Sequence, residues 1–272
     1  TDSSPGMAAY ATGQKSNNNQ QGVFPDNTAD PFDNPRIEYL GELLRRTRGR
    51  GFNVGIVTTA DVTDSTPAAN AVHTSDRFAG AGIADRFFDE RQENGVSVLL
   101  GGGARYFMPK DAGGERGDGR RLAEEFAAAG YARIANGADV ARLTAAAAPP
   151  ARVLGLFHSS HLPVAFDKVG AGKYSDELAR PANAAYRDTP MLEDLTRLAL
   201  RSLSSHSPDG FYLMVEGASI DKRAHAVDAE RTIWDVIEFD RAVEVALDFA
   251  RRTNGDRDPA NDTLVVVTAD HE

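Results

Sequence analysis

The chain has 272 residues, 41% hydrophobic and 26% charged, with a formal net charge of −10. Such a composition is ordinary for a folded protein with a substantial core. The acidity, with no Lys/Arg cluster to offset it, argues against a nucleic-acid partner held by phosphate contacts. There is no cysteine, so disulfides, thiolate metal sites and a cysteine nucleophile are excluded, and any metal must be held by Asp, Glu, His or hydroxyls. No stretch is long and apolar enough to span a membrane. An anionic substrate remains compatible with the acidity, because a bound metal reverses the local field.

In chain order, the first predicted element is an Ala-rich helical run, with Ser3 and Ser4 just ahead of it and of Pro5. A serine there sits where backbone N–H groups and the helix dipole favour negative charge, although an N-cap role is the commoner reason for one. The turn-rich stretches NNNQQG (17–22) and PDNTADPFDNP (25–35) follow, then a helix with an apolar stripe of Ile37, Leu40, Leu43 and Leu44. NVGIVTT (53–59), VSVLL (96–100), ARVLGLF (151–157), FYLMV (211–215) and TLVVVTA (263–269) are short, β-branched apolar runs without strict alternation. Strands covered on both faces have this pattern. Leu192, Leu195, Leu198 and Leu200 mark one helix between them, and Ile233, Val236, Ile237, Val243 and Leu247 another near 228–251. Strand–helix alternation of this kind predicts an α/β fold, a mostly parallel central sheet in three αβα layers. AAAAPP (145–150) is a loop within one domain spanning 1–272 rather than a boundary.

Ligands of open parallel sheets bind beyond the carboxyl ends of the strands, so the residues after each strand carry the functional expectation. Glu216 follows FYLMV, and Asp221 and His225 come next, four apart and so on one face of a helix starting near residue 220. Asp270 and His271 follow TLVVVTA. Asp64, Thr66 and Pro67 follow NVGIVTT, at a helix start. Taken singly, Asp221 and His225 read as a solvated helix start, Asp270-His271 as a turn and Glu216 as a surface carboxylate. Their coincidence at three strand ends is what points to an N/O metal site. HSSH (158–161) has metal-like spacing but no carboxylate near it in sequence, which favours a loop or a substrate-side role. GGGARY (101–106) lacks a Gly-Lys-Ser/Thr and reads as a tight turn. His73 and His206 read as structural or exposed.

Asp2 with the run SSPGMAAYATGQKSNNNQQGV behind it, then GIVTTADVTDSTPAANAVHTSDR, VLLGGGARY, LMVEGASIDKRAH and TLVVVTADH, in this order along the chain, resemble alkaline phosphatase of the bacterial type. The resemblance implies hydrolysis of phosphate monoesters through a phosphoserine, with two zinc ions and one magnesium. It implies Ser3 as nucleophile, although the family usually has a small residue where Ser4 stands. Asp221 and His225 match ligands of the first zinc, and Asp270 and His271 ligands of the second. Thr66 and Glu216 match magnesium ligands, with Asp64 in the magnesium's outer sphere. Arg77 matches the arginine that forks the phosphate, and Lys222 a residue that reaches it through water. Asp64 and Lys222 together follow the bacterial rather than the vertebrate pattern. The resemblance also implies small monoester substrates, a periplasmic or extracellular location and a possible homodimer. Rival readings are a sister phosphodiesterase or sulfatase, or a non-catalytic phosphate- or metal-binding relative. Two family ligands, an upstream aspartate and a downstream histidine, have no counterpart in these 272 residues. The stretch by itself is therefore expected to bind zinc weakly and turn over slowly, and full-rate, EDTA-sensitive phosphatase activity from it would contradict that expectation.

Overall fold

A computed structural model describes residues 2–169 and 186–271. Eleven α-helices and five strands alternate among the described residues. They run α1 (Ser3–Thr12), α2 (Leu40–Arg48), β1 (Asn53–Asp61), α3 (Ser65–Ala68), α4 (Gly80–Asp89), α5 (Arg91–Asn94), β2 (Val96–Gly102), α6 (Leu122–Ala128) and β3 (Ala132–Ile134). The second half adds α7 (Gly137–Ala145), β4 (Val153–Leu156), α8 (Ala165–Val169), α9 (Leu192–His206), β5 (Phe211–Glu216), α10 (Ser219–His225) and α11 (Ala229–Thr253). The sheet order is β3-β4-β2-β1-β5 and every pairing is parallel. The predicted three-layer α/β fold is therefore correct.

Side-chain alternation explains why these strands lack a polar face. Val54 and Ile56 of β1 and Leu99 of β2 join one apolar cluster, closed by Ile83 and Phe87 of α4 and Leu122 and Phe126 of α6. Val57, Val98 and Leu100 point the other way, into a cluster with Val140 of α7, Leu192, Leu195 and Leu198 of α9, and Ala242 of α11. Both faces are covered, so both phases of the period-two pattern are apolar. All the strands run in the same direction, and the carboxyl ends of β1, β2, β4 and β5 lie along one rim of the sheet.

Three expectations are corrected, and one strand was not foreseen. Thr263–Ala269 joins no ladder, and Leu264, Val266 and Val267 are exposed; β5, the strand at that end of the sheet, has no neighbour on its outer side among the described residues. A strand-like composition does not make a strand without a partner edge. The α2 stripe is not the buried one: Leu40 and Leu43 face outward. Gly41 is the buried position, where an added Cβ would lie 3.0 Å from Val54. In α11, Ile233, Val236 and Leu247 are exposed, while Trp234, Asp235, Glu238, Ala242 and Val245 face inward. The strand β3 escapes the apolar pattern because it is three residues long and carries Arg133 at its centre.

The inward polar residues of α11 form a buried charge cluster. Lys168 of α8 pairs with Glu238 and donates to the Pro190 carbonyl at 3.3 Å, and the Leu192 amide donates to Glu238 at 2.9 Å. Asp235 Oδ1 accepts the Ala165 amide at 3.0 Å, while its Oδ2 is buried without a hydrogen bond. Burial, opposed by the Ala165 amide and reinforced by the Glu238 charge, pushes Asp235 up to about 7. The unfolded chain releases this proton in the ordinary carboxyl range, and the folded chain holds it to about 7. Stability should therefore fall as pH rises across that window. Asp235→Asn should flatten the fall, by on the order of a few kcal/mol between pH 5 and pH 8 in urea titrations.

Candidate active site

Asp2 caps α1, its Oδ1 accepting the Ser4 amide at 3.0 Å. The Asn19 amide donates to Oδ2 at 2.5 Å, and Arg77 Nη1 approaches Oδ1 at 2.5 Å. Burial alone would raise the Asp2 carboxyl, but these two amides and the guanidinium hold it below its usual range. The two serines that follow have different surroundings. Ser4 is fully buried and its Oγ accepts from Gln21 Nε2 at 3.3 Å. Ser3 is half-buried, and its Oγ lies 3.1 Å from His271 Nε2.

Asp64 sits at the centre of the polar rim. It caps α3 through the Ser65 amide at 2.8 Å. Its Oδ1 meets Arg77 Nη2 at 3.2 Å, and its Oδ2 meets Lys222 Nζ at 2.8 Å. Burial pushes against ionisation, but the Lys222 charge and hydrogen bond and the Ser65 amide outweigh it and hold Asp64 at about 2. Glu216, at the end of β5, has no such partner so close. Burial pushes it up to about 7, aided by the Asp64 charge and opposed by hydrogen bonds from Thr58 (2.6 Å) and Thr66. The reading of Glu216 as a surface carboxylate is thus corrected: it lies against β1 and α3. Thr66 Oγ1 also lies 3.5 Å from Asp270 Oδ2.

The other four matched residues assemble from two chain segments. Asp221 Oδ1 lies 3.4 Å from His225 Nε2, one turn along α10, and 4.0 Å from His271 Nε2. His271 Nε2 lies 3.7 Å from Asp270 Oδ2. His225 is largely exposed, with 79% of its side chain accessible. The donor set, carboxylates and imidazoles with a serine and a threonine hydroxyl, has the chemistry of zinc and magnesium ligands. Glu216, pushed up to about 7 although the nearby hydroxyls and the Lys222 charge oppose the shift, is the kind of carboxyl that a bound cation would ionise. Among the described residues no three His, Asp or Glu side chains are arranged closely enough to enclose a metal. The residues fit a metal in the kind of donor that they offer.

All ten residues singled out in the sequence thus lie on this rim. Several partners were not legible there. Asn19 and Gln21 fall in a stretch that reads only as a loop, yet they reach Asp2 and Ser4. Thr58 looks like an ordinary strand residue until β5 is placed beside β1. The HSSH loop does have a carboxylate: His161 Nδ1 accepts the Asp61 amide at 3.0 Å and lies 3.1 Å from Asp61 Oδ1, whose other oxygen binds Arg105 at 2.7 Å. GGGARY does turn tightly, with Gly103 at φ +86° where an added Cβ would crowd Asp61.

A parallel α/β sheet with a serine at a helix start, an arginine, and carboxylates and imidazoles at its strand ends belongs to the class of layered α/β folds that carry their functional groups beyond the carboxyl ends of the strands. The family model for alkaline phosphatase matches residues 1–272, and the chain belongs to the alkaline phosphatase family. It is 36% identical to the streptomycin-6-phosphate phosphatase of Streptomyces griseus, over 100% of this chain and 61% of that protein. It is 32% identical to alkaline phosphatase of Escherichia coli (strain K12), over 100% of this chain and 58% of that one. The crystal structure of Thermus thermophilus alkaline phosphatase superposes with a TM-score of 0.74 at 30% identity, covering 93% of this chain and 45% of that one. The chain therefore spans about half the length of such relatives. If Lys222 is what keeps Asp64 ionised, Lys222→Ala should move the Asp64 carboxyl from about 2 to its ordinary range or above, because burial is then less opposed. Carboxyl-carbon NMR of the metal-free protein across pH 2–6 reads this directly.

Proposed function

We propose that the protein hydrolyses phosphate monoesters through a phosphoserine on Ser3. The observation that carries this reading is the contrast between the two N-terminal serines. Ser3 is half-exposed with its Oγ beside His271, at the first turn of α1 where the helix dipole favours negative charge, whereas Ser4 is enclosed. Divalent metals held by Asp221, His225, Asp270, His271, Thr66 and Glu216 would lower the serine hydroxyl's pKa and neutralise developing oxyanions.

The chain's own groups supply the rest. Arg77 offers one N–H from each terminal nitrogen to Asp2 and to Asp64, and each nitrogen retains a second N–H for phosphate oxygens. A planar fork of this kind fits a tetrahedral phosphoryl group and lysine cannot copy it. Lys222 spends one donor on Asp64 and keeps two for phosphate or for a water bound to it. Ser3 Oγ attacks phosphorus as the ester P–O bond breaks and the alcohol leaves with a proton. Water then attacks the phosphoserine, releasing inorganic phosphate and restoring the hydroxyl. Asp2 and the α1 N-terminus hold Ser3 and Arg77 in register throughout, which is positional catalysis.

The similarity to a streptomycin-6-phosphate phosphatase supports a phosphorylated small molecule as the substrate class. The full-length protein, supplied with zinc and magnesium, should turn over p-nitrophenyl phosphate far faster than bis-(p-nitrophenyl) phosphate or the sulfate. Preference for the diester or sulfate would sink the monoesterase reading. Ser3→Ala should abolish turnover while phosphate still binds in calorimetry. Arg77→Ala should weaken phosphate inhibition about 10- to 100-fold, in keeping with the loss of charge-assisted hydrogen bonds worth about 1.5–3 kcal/mol, and Arg77→Lys should not restore it.

A further inference from the structure

His73 lies outside the rim, is buried and is unused by the chemistry above. Both of its ring nitrogens face acceptors. Nδ1 is 2.7 Å from the Gly22 carbonyl oxygen, and Nε2 is 3.1 and 3.2 Å from the two Glu42 carboxylate oxygens. A carbonyl oxygen accepts only, so Nδ1 carries a proton. Glu42 Oε2 also accepts the Tyr39 amide at 2.9 Å. The ring is thus engaged at both nitrogens, by the Gly22 carbonyl on one side and the Glu42 carboxyl group of α2 on the other. Glu42 also lies near Arg36, itself paired with Glu90. The ring stacks on Tyr39 with centroids 4.5 Å apart, and the Tyr39 hydroxyl donates to the Val72 carbonyl at 2.9 Å.

The segments that this ring joins are those that set Arg77. Gly22 is held at φ +59°, where an added Cβ would fall 2.4 Å from the Tyr39 ring. One residue earlier, Gln21 and Thr74 exchange amide–carbonyl hydrogen bonds at 2.8 and 3.1 Å. The Arg77 amide donates to the Asn19 carbonyl at 3.0 Å, and the Asn19 amide holds Asp2, which in turn holds the Arg77 side chain. Residues 19–23 and 72–77 thus form one closed patch, fastened to α2 by His73.

We infer that His73 is a positioning residue for Arg77: a buried imidazole that, by bridging Gly22 and Glu42, fixes the phosphate-binding arginine against Asp2. The inference rests on the phosphomonoesterase reading for its function. His73→Phe keeps a ring on Tyr39 and loses both nitrogen contacts; in the full-length protein it should weaken inhibition by inorganic phosphate about tenfold, the worth of one hydrogen bond to a charged group. Unchanged inhibition overturns the inference. In an Arg77→Ala background the same change should weaken phosphate binding less than twofold further. Losses that multiply independently would mean that His73 acts on the fold alone, and would overturn it too. If His73→Phe fails to fold, Glu42→Ala, which removes the other end of the bridge, should weaken phosphate inhibition with Arg77 present and less than twofold without it; equal losses in both backgrounds would again overturn it. Should the unmodified protein not bind phosphate, the monoesterase reading and this inference fall together. Unchanged inhibition after His73→Phe in a protein that binds phosphate removes this inference alone.

Discussion

The arrangement of the rim depends on how Asp64 is shared. One carboxylate accepts from Arg77 and from Lys222 on opposite oxygens while capping α3. These contacts tie the end of β1 to α10, which follows β5, and to the HTSDR segment after α3. Asp2, Asp221, Asp270 and Glu216 lie on the same rim, with Arg77 and Lys222 the cations that pair with Asp64. So much negative charge in a half-buried rim is costly unless positive charge arrives. Asp64 is satisfied within the chain and Glu216 is not, and the two carboxyls are driven in opposite directions, to about 2 and about 7. Groups whose environments push them apart in this way are characteristic of functional sites.

The rim itself is a product of topology. Parallel strands place every carboxyl end on one side, so β1 and β5 deliver Asp61, Asp64 and Glu216 to neighbouring points although they are some 150 residues apart in sequence. Register then decides contacts. Thr58 stands directly opposite Glu216 in the β1–β5 ladder, and it is this pairing that brings their side chains to 2.6 Å.

What the sequence made legible follows from what is local. Both phases of apolar residues in β1 and β2 announced a sheet covered on two faces, and acidic residues after strands announced the rim. Facing directions of helices were harder. Leu40 and Leu43 form an apolar stripe, but Gly41 is where α2 meets the sheet, and an added Cβ there would press on Val54 at 3.0 Å. In α11 an ionic pair between Glu238 and Lys168 sits where an apolar stripe would be expected, and no spacing rule foretells a partner 70 residues away. His161 looked unaccompanied because Asp61 is 100 residues earlier in the chain.

The segment after α11 has a consequence for how this polypeptide behaves in solution. Thr263–Ala269 joins no strand ladder and is rich in β-branched residues, with Leu264, Val266 and Val267 open to water. That is the composition of an amyloid-competent heptad, and its charged neighbours Asp262 and Asp270 are its only gatekeepers. Seven residues outside the apolar core thus give the 272-residue polypeptide its sequence feature most suited to intermolecular sheet.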